Sequence, residues 1–231
     1  MAGIDNSTVF LLHCDGADGS TTFADSSITS PKTFTALSNA KVDTAGKFAQ
    51  CLIIDGGASF LRANSNTQLN IGTSDLTIDY WANISSFSAS QWRDFLDIGD
   101  GGNTNGIRIE YDADGSGHTL YLNTSTYTFS SGLTLNNFYH TAFVRNGDTG
   151  FFFINGALVG TDNLTGKTFT NSSGATVGSN SSGSQTLQGR MDEVRFATSA
   201  YWIANFTPPI LAYSQDTVAG GGFFNAFPVF F

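Results

Sequence analysis

The amino-acid sequence predicts an all-β protein, a sandwich or barrel of antiparallel strands, and three observations carry the prediction. Gly, Ser, Thr, Asn and Phe dominate the 231 residues while Lys, Glu, Leu and Met are scarce, which is the usage of strands joined by many turns. Short apolar runs recur at close intervals, each bounded by Gly, Asn, Asp or Ser, the rhythm of an all-β fold. No long stretch carries the 3.6-residue periodicity of an amphipathic helix.

Taken in order, the strand-like runs are Val9 to Cys14, Gln50 to Ile54, Leu76 to Ile84, Asp94 to Ile98, Ile107 to Tyr111, Thr119 to Leu122, Tyr139 to Arg145, Phe151 to Ile154, Ala157 to Val159 and Leu187 to Phe196. Within Leu76 to Ile84, alternation places Leu76, Ile78, Tyr80, Ala82 and Ile84 on one face and Thr77, Asp79, Trp81 and Asn83 on the other, one face packed and one largely polar. Asn155-Gly156 between two apolar runs is the strongest hairpin signal, because a type I′ turn needs positive φ at both central positions. One or two helical turns are expected around Ser199 to Ala204, ended by Pro208-Pro209.

Bulk properties exclude several function classes. A net charge of −9, with only ten Lys and Arg, all scattered, supplies no basic stripe for nucleic acid and disfavours an anionic membrane surface. No stretch reaches transmembrane length, and Met1 to Asn6 opens no signal-peptide pattern. Cys14 and Cys51 offer no zinc spacing; buried free thiols are expected in a cytoplasmically made chain, with one bridge as the alternative if the two lie on neighbouring strands. Seven Asn-x-Ser/Thr sequons read as turn chemistry in so Asn-rich a chain.

Candidate chemistry is sparse. Glu110, Asp112 and Asp114 alternate along one face, as a glycosidase pair would, but Gly115-Ser116-Gly117 follows at once, so Asp112 to Gly117 reads as a hairpin turn. His13, His118 and His140 show no metal spacing; His140 is expected to be packed and hydrogen-bonded within a half-buried strand. The Gly-rich stretch from Gly99 to Gly106 opens no helix and is a loop, not a phosphate cradle. Sugar binding calls for aromatic platforms beside amide and carboxylate groups, and Trp92, Tyr111, Tyr121 and Tyr127 are the candidates; the plainer reading of each is a core or sheet-surface aromatic. The last nine residues hold five phenylalanines and no charge behind Gly220-Gly221-Gly222. Phe223, Phe224, Phe227, Val229, Phe230 and Phe231 are therefore expected to form an assembly interface with sister chains, since burying each ring is worth roughly 1.5–3 kcal/mol.

Several segments occur in a telling order: Leu11-Leu12-His13-Cys14-Asp15-Gly16, Leu52-Ile53-Ile54-Asp55-Gly56, Leu76-Thr77-Ile78-Asp79-Tyr80-Trp81, Phe138-Tyr139-His140-Thr141-Ala142-Phe143-Val144-Arg145, Phe152-Phe153-Ile154-Asn155-Gly156, Gly189-Arg190-Met191-Asp192-Glu193-Val194-Arg195 and Ala204-Asn205-Phe206-Thr207-Pro208-Pro209. In this order the chain resembles the LamG-like group of the concanavalin A-like lectin/glucanase superfamily, over nearly everything up to Leu211. The resemblance implies a two-sheet antiparallel jelly-roll sandwich over residues 1–211, with a Gly-hinged tail over 212–231 outside it. The subgroup marked by the closing Asn-Phe-Thr-Pro-Pro is frequent in tailed bacteriophages. It implies a non-catalytic virion surface protein, a capsid decoration or tail-fibre component made in the host cytoplasm, with other virion proteins and host surface glycans as partners; a glycoside hydrolase of the same superfamily is the alternative. It also implies that Asp15 and Asp192, with nearby carbonyls, hold a structural calcium ion. From the residues alone, Asp15 caps a turn and Asp192 or Glu193 pairs with Arg190 or Arg195.

Overall fold

The computed structural model describes residues 3–87, 91–99, 105–113, 115–123, 125–130, 132–170 and 173–214. The tail expected to drive assembly, and Asp114 of the acidic run, lie outside the described residues. In chain order the strands are β1 (Thr8–Leu12), β2 (Thr22–Ala24), β3 (Thr33–Leu37), β4 (Lys41–Asp43), β5 (Cys51–Asp55), β6 (Phe60–Asn64), β7 (Leu76–Ile84), β8 (Arg93–Ile98), β9 (Ile107–Tyr111), β10 (Gly117–Leu122), β11 (Ser125–Ser130), β12 (Phe138–Asn146), β13 (Thr149–Ile154), β14 (Ala157–Asn163), β15 (Gly174–Val177) and β16 (Gln188–Ala197).

These strands form two antiparallel sheets that face each other as a sandwich. The first runs β14-β13-β12-β7-β16-β5-β4, with β1 also on β16; the second runs β11-β10-β9-β8-β15-β6-β3-β2. β16 serves two partners because it is long: Gln188 to Met191 pair with β5 and Val194 to Ala197 with β1. Between them a bulge at Asp192 to Arg195 breaks the register with β7, and Glu193 takes φ +52° there. One continuous core fills the space between the sheets, with Phe10, Ile78, Tyr80, Phe95, Ile109, Tyr111, Phe152, Val194 and Phe196 among its members.

The Asn155-Gly156 turn joins β13 to β14 with φ of +50° and +76°, the left-handed conformations a type I′ turn requires. Gly156 is needed twice over, because a Cβ there would stand 1.9 Å from the Phe206 carbonyl oxygen. The Asp112 to Gly117 turn also forms: Asp112 N–H donates to Gly117 O at 2.8 Å, and Gly115 N–H to Asp112 O at 2.9 Å.

One expectation is corrected, and one face that formed as expected is covered. No helical turns occur around Ser199 to Ala204; the segment runs irregularly because its rings dock one by one on the outer face of the first sheet, Trp202 stacked on Phe206 at 4.0 Å and Phe206 edge-on to Phe153 at 5.2 Å. For the same reason the polar face of β7 is not solvated. All nine of its residues are buried: Thr77 Oγ1 donates to Ser199 O at 2.6 Å, and Asp79 meets Arg195 beneath Tyr201 and Tyr213. Described structure continues to Ser214, whose carbonyl accepts from Ile4 N–H at 2.9 Å. Cys14 and Cys51 are free, buried thiols; burial pushes the Cys51 thiol up to about 12.

Candidate functional site

The outer face of the second sheet carries a row of charged side chains on two neighbouring strands, β8 and β9. Ile107, Ile109 and Tyr111 enter the core, so alternation turns Arg108 and Glu110 outward. Across the ladder Glu110 opposes Asp94 and Arg108 opposes Asp97, with the register broken between Asp94 and Leu96. In a regular strand residues three apart face opposite ways; the extra residue at Phe95 lets Asp94 and Asp97 share one face. On the other side Thr119 and Tyr121 of β10 stand opposite Glu110 and Arg108.

Arg108 ties this row together. Its Nε and Nη2 both lie 3.3 Å from Asp97 Oδ2 and its Nε 3.9 Å from Asp94 Oδ2, and its Cζ is 5.8 Å from the Tyr121 ring centroid. Asp97 Oδ2 also accepts Ser181 N–H at 2.8 Å. Asp94 and Glu110 are different: they are 0% and 1% exposed, and they interact chiefly with each other and, for Glu110, with the Tyr121 hydroxyl. Burial, then a shared proton and the charge of Glu110, raises the Asp94 carboxyl well above the usual range. Burial also raises Glu110. Two desolvated carboxyls held side by side do not both ionise; they keep one proton between them. The same surroundings, burial first and Glu110 next, push the Tyr121 hydroxyl up to about 12. Beside the row opens a cavity of about 240 Å³ edged by Arg62, Asp97, Thr176 and Ser181.

The four aromatic candidates do not converge on one surface. Tyr121 lies half-buried on this face and Trp92 half-buried just ahead of β8. Tyr111, opposite Arg93 and His118 in the ladder, points inward: it is 0% exposed, stacks on Phe87 at 5.2 Å and donates its hydroxyl to Gly115 O at 2.7 Å. Tyr127 also packs against the core. Asp94, Asp97 and Arg108 were not singled out from the sequence; their signal was charge embedded within strand-like runs.

The second candidate corner lies on the first sheet. Asp192 Oδ2 accepts the backbone N–H groups of Lys47 and Phe48 at 2.9 and 3.1 Å. Burial, opposed by those donors and helped by the charges of Glu193 and Asp15, pushes its carboxyl up to about 7. Glu193 lies 2.6 Å from His13 Nδ1 and accepts Tyr213 N–H at 2.7 Å; the bond to Glu193 raises the His13 pKa. The pairing of Asp192 or Glu193 with Arg190 or Arg195 does not form: Arg190 binds Asp43 at 2.6 Å and Arg195 binds Asp79 at 2.8 Å. Calcium takes six to eight oxygens. Here Asp15 is exposed and close enough for its charge to act on Asp192, while the engaged Asp192 oxygen already accepts two N–H donors; the two carboxylates would supply part of such a shell and backbone carbonyls the rest. If Asp15 and Asp192 hold the ion, chelation is expected to lower the thermal unfolding midpoint, because an ion bound only to the native state stabilises it; an unchanged midpoint in EDTA would remove the site.

Comparison with known families matches residues 55–201, more than half of the chain, to the model described as the concanavalin A-like lectin/glucanases superfamily. The chain belongs to that superfamily. Comparison with curated protein sequences returns no match. Among solved structures, this superfamily member is similar to the binding domain of Paraclostridial mosquitocidal protein 1, at 14% identity and a TM-score of 0.63, over 84% of this chain and 49% of that one. It is similar also to the botulinum neurotoxin serotype D ligand binding domain in complex with N-acetylneuraminic acid, at 12% identity and 0.65, over 86% and 49%. A third is the receptor binding domain of the botulinum neurotoxin C/D mosaic serotype, at 11% and 0.66, over 86% and 49%. The chain thus spans about half the length of each, and identities this low are likenesses of fold. Lectins and glucanases share the superfamily's sandwich, so the site must separate them.

Proposed function

We propose that the chain is a non-catalytic glycan-binding protein on the surface of a virion, part of a capsid decoration or a tail fibre. The sugar is assigned to the outer face of the second sheet, where Tyr121 offers a ring, Arg108 and Asp97 offer charged hydrogen-bonding groups, and the cavity edged by Arg62 and Thr176 adjoins them. The observation that carries the non-catalytic reading is the burial of Asp94 and Glu110. A glycosidase sets its two carboxyls on either side of the scissile bond, roughly 5–10 Å apart; these two are cross-strand neighbours sealed from solvent. A similar fold bound to N-acetylneuraminic acid supports sugar as the ligand class.

The raised, proton-sharing pair favours a second reading, a glycan-cleaving enzyme whose acid is uncovered by substrate. Calorimetry with a panel of oligosaccharides, run alongside a reducing-end assay, separates the two. Binding without cleavage is expected, weakened about tenfold by Arg108→Ala or Tyr121→Ala. Cleavage that disappears in Glu110→Gln would establish the enzyme instead. The virion part of the proposal rests on the sequence resemblance and on the apolar tail, and mass spectrometry of purified particles tests it. Deleting residues 220–231 is expected to leave a folded protein that no longer joins its sister chains; a destabilised domain with unchanged association would overturn the assembly role.

A further inference from the structure

A cavity on the outer face of the first sheet lies apart from the acid row and borders the Asp192 corner through Lys47 and Phe48. We propose that it is a separate binding site for an acidic sugar residue, a ring with one apolar face and a carboxylate. This extends the glycan reading to a second surface and is tested apart from it. The cavity measures about 530 Å³, within the range of small-molecule sites. Its walls come from distant parts of the chain: Lys47 and Phe48 between β4 and β5, Trp81 from β7, Phe138 from β12, Asn155 from the β13–β14 turn and Pro208 from the C-terminal segment.

The walls are held in place before any ligand arrives. Asp192 grips the Lys47-Phe48 backbone by two hydrogen bonds, and the Phe48 ring stands perpendicular to Trp81 at 5.9 Å. Asn155 exchanges two bonds with the His140 backbone: its N–H donates to His140 O at 2.7 Å and its Oδ1 accepts from His140 N–H at 2.9 Å. That fixes the side chain with Oδ1 engaged and leaves the Nδ2 donors for a ligand hydroxyl.

Charge and unmet bonding select the ligand. Lys47 Nζ lies 4.0 Å from the Trp81 ring centroid and has no carboxylate within ion-pair distance among the described residues. On a chain of net charge −9, an ammonium with no carboxylate beside it at the mouth of a cavity of mixed polar and apolar lining favours an anion. Trp81 is 6% exposed, and its indole Nε1–H, itself buried, has no acceptor among the described residues, an unmet donor that costs free energy in the empty protein. Phe48, Phe138 and Pro208 suit the C–H face of a pyranose, Lys47 its carboxylate and Asn155 a hydroxyl.

Heteronuclear NMR on the full chain tests this by titrating glucuronic acid, glucose and acetate in turn. Glucuronic acid is expected to shift the Trp81 indole signal saturably, and glucose and acetate to bind at least about tenfold more weakly. Lys47→Met and Lys47→Gln are each expected to lose at least about tenfold in affinity for glucuronic acid while melting as the parent does. Arg108→Ala, which disables the second-sheet surface, is expected to leave this titration unchanged. The proposal is overturned if no saturable shift occurs, if glucose or acetate binds as well as glucuronic acid, if both Lys47 variants bind normally, or if Arg108→Ala abolishes the effect.

Discussion

Replacing His118 with leucine is expected to stabilise the protein, and the gain is expected to grow as the solution is acidified. His118 is 0% exposed and packed among Phe95 at 5.3 Å, Tyr111 at 5.0 Å and Phe152 at 5.2 Å, with no partner for either ring nitrogen among the described residues. Burial alone lowers its pKa from 6.5 to about 3. Between those two values the unfolded chain binds a proton that the native state refuses. Stability present above pH 6.5 is therefore lost as the pH falls through that window, by about 4–5 kcal/mol in all. At pH 7 the leucine variant gains about 1–2 kcal/mol from removing an unsatisfied polar ring, and at pH 4 the gap widens. Asp192, Asp94 and Glu110 are raised in the native state and pull the other way, losing stability as pH rises, so the informative quantity is the difference between variant and parent. Urea unfolding at pH 4 and 7 measures it; parallel pH profiles would show that the His118 ring is hydrated or paired after all.

Arg195→Ala is expected to cost about 3–5 kcal/mol, because it strands a carboxylate in a dry site. Asp79 is completely buried; burial works to raise its carboxyl, yet the charge of Arg195 and the His140 bond hold it below its ordinary value. Arg195 does more than neutralise it. It donates to Gly3 O and to the Tyr213 hydroxyl, each at 3.1 Å, and lies 3.9 Å from the Tyr213 ring centroid, while Tyr213 donates its own hydroxyl to Asp79. Limited proteolysis should therefore find residues 199–214 exposed in the variant well before the sheets open. Chemical denaturation checks the magnitude, and a loss under about 1 kcal/mol would mean the ion pair contributes no more than a surface one.

Much of the sandwich was legible because its long strands carry their own signal. β7, β12, β13 and β16 alternate or run apolar for many residues, and Asn155-Gly156 fixed a hairpin without help from the rest of the chain. β2, β3 and β4 were not legible: Thr22–Ala24, Thr33–Leu37 and Lys41–Asp43 bury one side chain fully in each, and short strands of that kind are defined by the neighbour they pair with rather than by their own pattern. The site divided the same way. Glu110 stands out as an acid within a strand, and spacing along the chain points to Asp112, whereas the partner that alters its chemistry is Asp94, sixteen positions earlier and directly across the ladder. Likewise nothing in the alternation of β7 announced that Thr77, Asp79 and Trp81 would be roofed by segments from both ends of the fold.

That roof has a topological consequence. With Ile4 N–H bonded to Ser214 O, the path enters and leaves the sandwich at neighbouring points on one surface. A domain shaped this way can be carried within a loop of a host protein, or re-circularised by a short peptide and opened elsewhere, for instance at the exposed Gly147 turn, without unpairing a strand.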